Sequence, residues 1–187
     1  MKRLALLLSY CVLLTAGLLA VSNDTWPLRA ERITPSARDA EPARAVGAIT
    51  GRAHILDGDS LNVAGTPIRI FGIDAPEWRQ RCRAADGHLY GCGRRAFRAL
   101  AHRLRFASVR CVPRARDRFA RLVATCYQGH DDLARWLVGQ GLALDWPRYS
   151  GGTYAYAEDV ARRAERGVWQ GNFVRPWDWR HGLSNVR

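Results

Sequence analysis

Three short stretches carry residue types that could work on a phosphodiester. The run Ile68-Arg69-Ile70-Phe71-Gly72-Ile73-Asp74-Ala75-Pro76-Glu77 sets one guanidinium and two carboxylates at the end of an otherwise apolar strand. Asp57-Gly58-Asp59-Ser60 lies upstream, and Asp117-Arg118-Phe119-Ala120-Arg121 lies downstream. Carboxylate oxygens are the ligands a hard cation takes, and a planar guanidinium matches a phosphate edge. A further carboxylate beside them can orient or deprotonate an attacking water, so the three stretches together hold what hydrolysis of a phosphodiester requires.

Each residue also has a plainer reading. Asp59 and Asp74 each stand where a strand gives way to a turn, which lets both carboxylates converge as candidate metal ligands; yet Asp-Gly is ordinary hairpin chemistry, and an Asp before Ala-Pro is an ordinary turn residue. Glu77 follows three positions after Asp74 and can face the same pocket, or it can be a surface residue opening a loop. Arg69, inside an apolar run, needs an anionic partner because an unpaired guanidinium is costly to bury. That partner is either a structural carboxylate (Asp59, Asp74 or Glu77) or a substrate phosphate. Strict alternation puts Arg69 and Asp74 on opposite strand faces, so their convergence requires a bend, which Gly72 can supply. Arg118 and Arg121, near Arg114 and Arg116, read as a solvated basic turn unless the other motifs recruit them. The five histidines are scattered, with no nucleophile signature beside any of them.

The elements that would position these residues can be read from turn signals and periodicity. Folding should begin near Val46. From there to Ile73, short apolar segments broken at Asp57-Gly58 and Ala64-Gly65 predict a three-strand meander. Phe97, Leu100, Ala101 and Leu104 recur at helical spacing. Residues 109–112 and 122–126 form two strands around a turn at 117–120. Leu133, Trp136, Leu137 and Gln140 outline a second helix ending before Gly141. A third helix runs from about Tyr154 to Arg166 with Gly167 as its stop, and Glu158–Arg162 and Asp159–Arg163 are i,i+4 pairs on its polar face. The aromatic stretch Phe173-Val174-Arg175-Pro176-Trp177-Asp178-Trp179-Arg180 is expected to dock on the domain. Three strands, helix, two strands, more helix suits a five-stranded barrel with packed helices; an α+β sandwich is the alternative.

The chain has 187 residues, room for one domain plus appendages, with a formal net charge of +12 against 48% hydrophobic residues. That balance excludes a disordered basic tail; nucleic acid, acidic polysaccharide and an anionic membrane are the candidate partners, while a solvated arginine-rich surface explains the charge about equally well by itself. Lys2 and Arg3 precede an uncharged, mainly apolar stretch at 4–21, the pattern of an export signal, whose length leaves cleavage and retention as an inner-membrane anchor both open. Residues 23–45 carry Pro27, Pro35 and Pro42 among mixed charges and read as a flexible linker, so the folded domain is expected over 46–180 with a short tail at 181–187. Apart from Cys11 in the leader, the four remaining cysteines fit an oxidising compartment, periplasmic or secreted. The hairpin register places Cys111 opposite Cys126, which leaves Cys82 to pair with Cys92; no close Cys or His pair of zinc-ligand spacing is present.

The three motifs, in this order and spacing, resemble those of the staphylococcal nuclease (thermonuclease) family. The resemblance extends from about Val46 to Trp179 and includes Gly141-Leu142-Ala143 and Gly167-Val168-Trp169. It implies a five-stranded OB-fold barrel with three packed helices, mainly β, and a Ca²⁺-dependent endonuclease that cleaves single-stranded or denatured DNA and RNA and leaves 3′-phosphates; two carboxylates suit Mg²⁺ equally. Position by position, Asp59, Asp74 and the Ala75 carbonyl resemble the metal ligands. Arg69 and Arg121 resemble the phosphate-binding arginines, and Glu77 the residue that positions the water. Arg118 and Phe119 fall in the nucleic-acid-binding loop, and Tyr149, with Trp146, stands where base-stacking aromatics are expected. Ser60 and Ala75 replace threonines of the type enzyme, Phe119 a tyrosine and Ala120 a glycine; Phe119 lacks a hydroxyl that could hold a terminal phosphate. A monomer is expected, touching a membrane only through an uncleaved N-terminal segment. The rival readings are a catalytically idle OB module that only binds nucleic acid, and an accessory protein for an envelope polysaccharide.

Overall fold

A computed structural model describes residues 47–183. The expected signal or anchor at 1-22, the linker at 23-45 and the tail from 184 onward lie outside the described residues. Strand β1 (Ile49–Asp57), β2 (Ser60–Val63) and β3 (Thr66–Ile70) form the expected antiparallel meander. Strands β7 (Ser108–Arg116) and β8 (Leu122–Gln128) form the second hairpin. Two further pairings close the sheet: β1 runs antiparallel to β7, with Ile49 opposite Cys111, and β3 runs parallel to β8, with Arg69 opposite Val123. The ring β1-β2-β3-β8-β7 is a closed five-stranded barrel of OB type, which decides against the sandwich.

Alternating residues of these strands fill the barrel. Leu61, Val63, Ile68, Ile70 and Ala124 are wholly buried, and Val109 nearly so. Helix α1 (Cys92–Leu104) seals one side of this core with Ala96, Leu100 and Leu104, and α2 (Leu133–Gly139) contributes Leu133, Leu137 and Val138. Each such Leu or Ile contributes roughly 1.5 to 3 kcal/mol by leaving water. Phe97, placed by periodicity on the apolar stripe of α1, lies at its margin and packs edge-on against Trp78, with ring centroids 5.0 Å apart. Asp132 caps α2 by accepting from the Ala134 and Arg135 amides.

Both expected disulfides are present. Cys111 and Cys126 face each other across β7 and β8. Cys82–Cys92 ties a small ribbon, β5 (Cys82–Arg83) with β6 (Leu89–Tyr90), to the first residue of α1. That helix has no side-chain cap at Gly91, so the crosslink anchors its start.

The third long helix, α4 (Ala155–Arg163), is shorter than expected. Its backbone leaves helical geometry at Ala164, and Glu165 takes a positive φ of 50°, so the helix ends before Gly167. Asp159 pairs with Arg163 as expected, and also with Arg162. Glu158 does not pair with Arg162: half-buried, it accepts the Asp145 amide at 2.7 Å instead. Strand β4 (Ile73–Asp74) pairs with β10 (Leu144–Asp145) beside the barrel. Two short helices escaped the periodicity reading, α3 (Pro147–Ser150) and α5 (Pro176–Arg180). The aromatic tail docks as expected: Trp177 stacks on Trp146 at 5.7 Å, and the Gln80 side chain donates to the Val174 carbonyl at 2.7 Å.

Candidate active site

The bend that the sequence requires between Arg69 and Asp74 falls at Gly72. Its φ is +74°, and a Cβ there would stand 2.9 Å from the Ser150 Cβ. Beyond the bend, Ile73 and Asp74 leave the barrel wall and pair with β10, which turns the Asp74 carboxylate toward Arg69. The Arg69 Nη2 donates to Asp74 Oδ1 at 2.7 Å and lies 3.1 Å from Asp59 Oδ2, while Nη1 donates to Asp59 Oδ1 at 3.3 Å. Asp59 also accepts from the Ser60 hydroxyl at 2.9 Å and from the Ala75 amide at 3.0 Å. One guanidinium therefore holds both candidate metal carboxylates, and the Ala75 backbone is bound to the same set.

Asp74 has no exposed surface, and its remaining partner comes from the far end of the chain. Arg180, on α5, donates from Nη1 to Asp74 Oδ1 at 2.9 Å and from Nη2 to Oδ2 at 2.7 Å. The same Nη1 reaches Glu77 Oε1 at 2.7 Å. Glu77 is fixed from behind, because its amide donates to the Gln80 side chain and its carbonyl accepts the Gln80 amide. Helix α1 also passes so close to the Glu77 carbonyl that a Cβ at Gly93 would strike it. Burial pushes the Asp74 carboxyl up from its ordinary range, opposed by the hydrogen bond from Arg180. Burial lowers Arg69, but the charges of Asp59 and Asp74 outweigh it and hold the guanidinium above its ordinary value. Asp57, nearby, is pushed up by burial despite accepting the Gly58 amide.

The downstream motif stands apart. Asp117 organises its own loop, accepting the Phe119 amide at 2.9 Å, the Arg121 amide at 3.0 Å and Arg121 Nε at 2.7 Å. Arg118 lies over the exposed Phe119 ring. Arg121 is held by Nε alone, and its two terminal nitrogens make no hydrogen bond among the described residues. Arg118, Phe119 and Arg121 thus make no hydrogen bond or ion pair with the carboxylate cluster; Arg121 lies two positions before Val123, the strand neighbour of Arg69. Tyr149 is exposed and packs edge-on against Trp146 at 4.5 Å. Trp146 in turn presents its ring to Arg69 at 5.9 Å and Arg180 at 5.4 Å, so Tyr149 borders the cluster through one aromatic layer.

Residues 67–171 match the family model described as staphylococcal nuclease homologue. The chain belongs to the staphylococcal nuclease family. Relatives of this nuclease are found in distant organisms. It is 35% identical over 145 residues to the succinoglycan biosynthesis protein ExoI of Rhizobium meliloti (strain 1021), covering 76% of this chain and 73% of that protein. It is 31% identical over 122 residues to a probable staphylococcal-like nuclease of Oryza sativa subsp. japonica, covering 64% of this chain but only 30% of the rice protein. It is 27% identical over 133 residues to an uncharacterized endonuclease of Haemophilus influenzae, covering 67% and 69%.

In this staphylococcal nuclease homologue, the donor set has the chemistry a hard cation takes: two carboxylates gathered by one guanidinium, with the backbone of Ala75 bound to one of them. Among the described residues no group of three or more His, Cys, Asp or Glu side chains is arranged to hold a metal ion, so a cation here would be held by Asp59 and Asp74 with the Ala75 backbone and water. The set fits a cation where the guanidiniums on its oxygens give way, since Arg69 already lies on both Asp59 oxygens and on Asp74 Oδ1. Both Asp74 oxygens already accept from Arg180, so that guanidinium has to yield at least one of them. Arg180 is the site residue that the sequence reading missed. A signal for it existed: it follows Trp177 by three positions, so a helix that docks Trp177 carries Arg180 on the same face.

Proposed function

We propose that this nuclease is a divalent-cation-dependent endonuclease, using Ca²⁺ and cleaving single-stranded or denatured DNA and RNA to 3′-phosphate products. The observation that carries the reading is that Arg69 binds both Asp59 and Asp74, the Ala75 amide binds Asp59, and Arg180 joins Glu77 to Asp74, a convergence that strand alternation alone would not give. The cation, held by Asp59, Asp74 and the Ala75 carbonyl, would supply positive charge opposite a phosphoryl oxygen. Arg69 and the open fork of Arg121 bind the phosphate and stabilise charge growing on it in the transition state. Glu77, with a partly exposed side chain, holds the attacking water in line and takes its proton. Arg121, protonated at any working pH, stabilises charge rather than donating a proton. Arg118, Phe119 and Tyr149 border the path of the strand, where aromatic faces stack bases without demanding a sequence.

The two disulfides and the apolar stretch at 4–21 support action outside the cytoplasm, in the periplasm, as a secreted protein or held at the inner membrane. The pairing of Arg180 with Asp74 and Glu77 favours a second reading, an idle module that binds nucleic acid without cutting it. One assay separates them. The chain, with disulfides intact, is incubated with denatured DNA and with RNA in Ca²⁺, in Mg²⁺ or in chelator, and product ends are identified. Ca²⁺-dependent cleavage leaving 3′-phosphates is expected; salt-sensitive binding without cleavage in either metal would establish the idle module instead.

A further inference from the structure

The Arg180 contact joins residues 106 positions apart and is built, not incidental. Helix α5 is fixed by its first turn and by the segment that leads into it. Pro176 is buried, Trp177 stacks on Trp146 with ring planes 12° apart, Val174 accepts from Gln80, and Asn172 pairs its backbone with Arg83. From that base the guanidinium grips Asp74 with both terminal nitrogens and Glu77 with one of them. The surrounding charge explains why it is there. Asp59, Asp74 and Glu77 contribute three carboxylates and Arg69 one guanidinium, so without Arg180 these four side chains would carry a net charge of −2, to which the neighbouring Asp57 carboxylate adds. A net negative charge of this kind favours a bound cation. Arg180 covers part of it and uses the oxygens such an ion would need.

We propose that Arg180 and the divalent cation are alternative partners of Asp74, so that the C-terminal helix carries an internal competitor that sets the cation affinity of the site. The inference rests on the cation-dependent reading given above. Cation binding at Asp74 requires the guanidinium to withdraw, while the Trp146–Trp177 stack keeps α5 docked and Arg180 close by. Two ligands that exclude each other at one site weaken each other's binding by the same factor.

The test is calorimetric titration of the full chain with Ca²⁺ in the absence of nucleic acid, comparing the wild type with Arg180→Gln and Arg180→Lys. Removing the competitor should tighten Ca²⁺ binding by about 5- to 150-fold, the usual range for coupling between two ligands, and Arg180→Lys should fall between. Trp177→Ala, which loosens the arm while keeping its charge, should move affinity in the same direction by a smaller factor, and it serves if Arg180→Gln does not fold. Equal or weaker Ca²⁺ binding in both the glutamine and alanine variants, with the wild type binding normally, would overturn the competitor and leave the cation reading standing. Absence of binding to every folded form would remove the cation reading, and this inference with it.

Discussion

Asp74 and Asp117 each meet an arginine nitrogen at 2.7 Å, yet the two pairs have little else in common. Asp74 has no exposed surface and takes partners five and 106 positions away, from the barrel wall and from the C-terminal helix. Asp117 keeps 17% of its side chain exposed and pairs with Arg121 only four positions on, inside its own loop. A buried carboxylate is tolerable only where the fold delivers compensating charge, so the Asp74 cluster exists only once barrel, bend and docked tail are assembled. An exposed loop pair is screened by water and costs the chain little to break. The same residue types thus build a rigid, water-poor centre at one place and an adaptable basic edge at the other. This division suits chemistry at the first and substrate contact at the second.

Substitution separates the two most sharply. Asp74→Asn leaves the Arg180 and Arg69 guanidiniums without their shared anion and should destabilise the protein by about 3 kcal/mol, the lower end for breaking a buried pair, since both arginines keep some contact with water. Asp117→Asn should cost no more than about 1 kcal/mol. Urea unfolding midpoints of the two variants check the comparison, and similar losses would erase it. Acid titration should show a smaller effect in the loop. Burial raises the Asp117 carboxyl, but the hydrogen bonds from Arg121 and from the Phe119 and Arg121 amides outweigh it, so its folded value lies below the ordinary 3.8. A depressed value means that the loop pair contributes its stability above about pH 3.8 and loses it as pH falls through the lower folded value. Backbone amide shifts of Phe119 and Arg121 should move in that acid window and not above it.

The barrel was legible because turn residues divide its apolar strands, and because Cys111 and Cys126 fell opposite each other in the predicted register. The bend at Gly72 was legible too, since Arg69 and Asp74 could not otherwise share a pocket. Less visible were the features set by tertiary contact. Helix α4 stops at Arg163 because the backbone turns at Ala164 and Glu165, where no glycine marks the end. Glu158 looks inward to Asp145, although its spacing suits a surface pair with Arg162. Arg180 was read as part of a docked aromatic tail, but local pattern carries no information about which of several buried carboxylates a residue 106 positions away will meet. The family resemblance supplied roles for Asp59, Arg69, Asp74, Glu77 and Arg121, and none for Arg180.

The central claim is that the chemistry belongs to the buried cluster, with Glu77 handling the water. Single-turnover cleavage of denatured DNA by Glu77→Gln, under saturating enzyme and Ca²⁺, tests it most directly, with DNA affinity and the unfolding midpoint measured on the same preparation. The expected result is a rate about 10² to 10⁴ lower, the usual cost of losing a general base, with affinity and stability close to wild type. A folded Glu77→Gln protein that cleaves at the wild-type rate would contradict the claim and move the water-handling role to another residue.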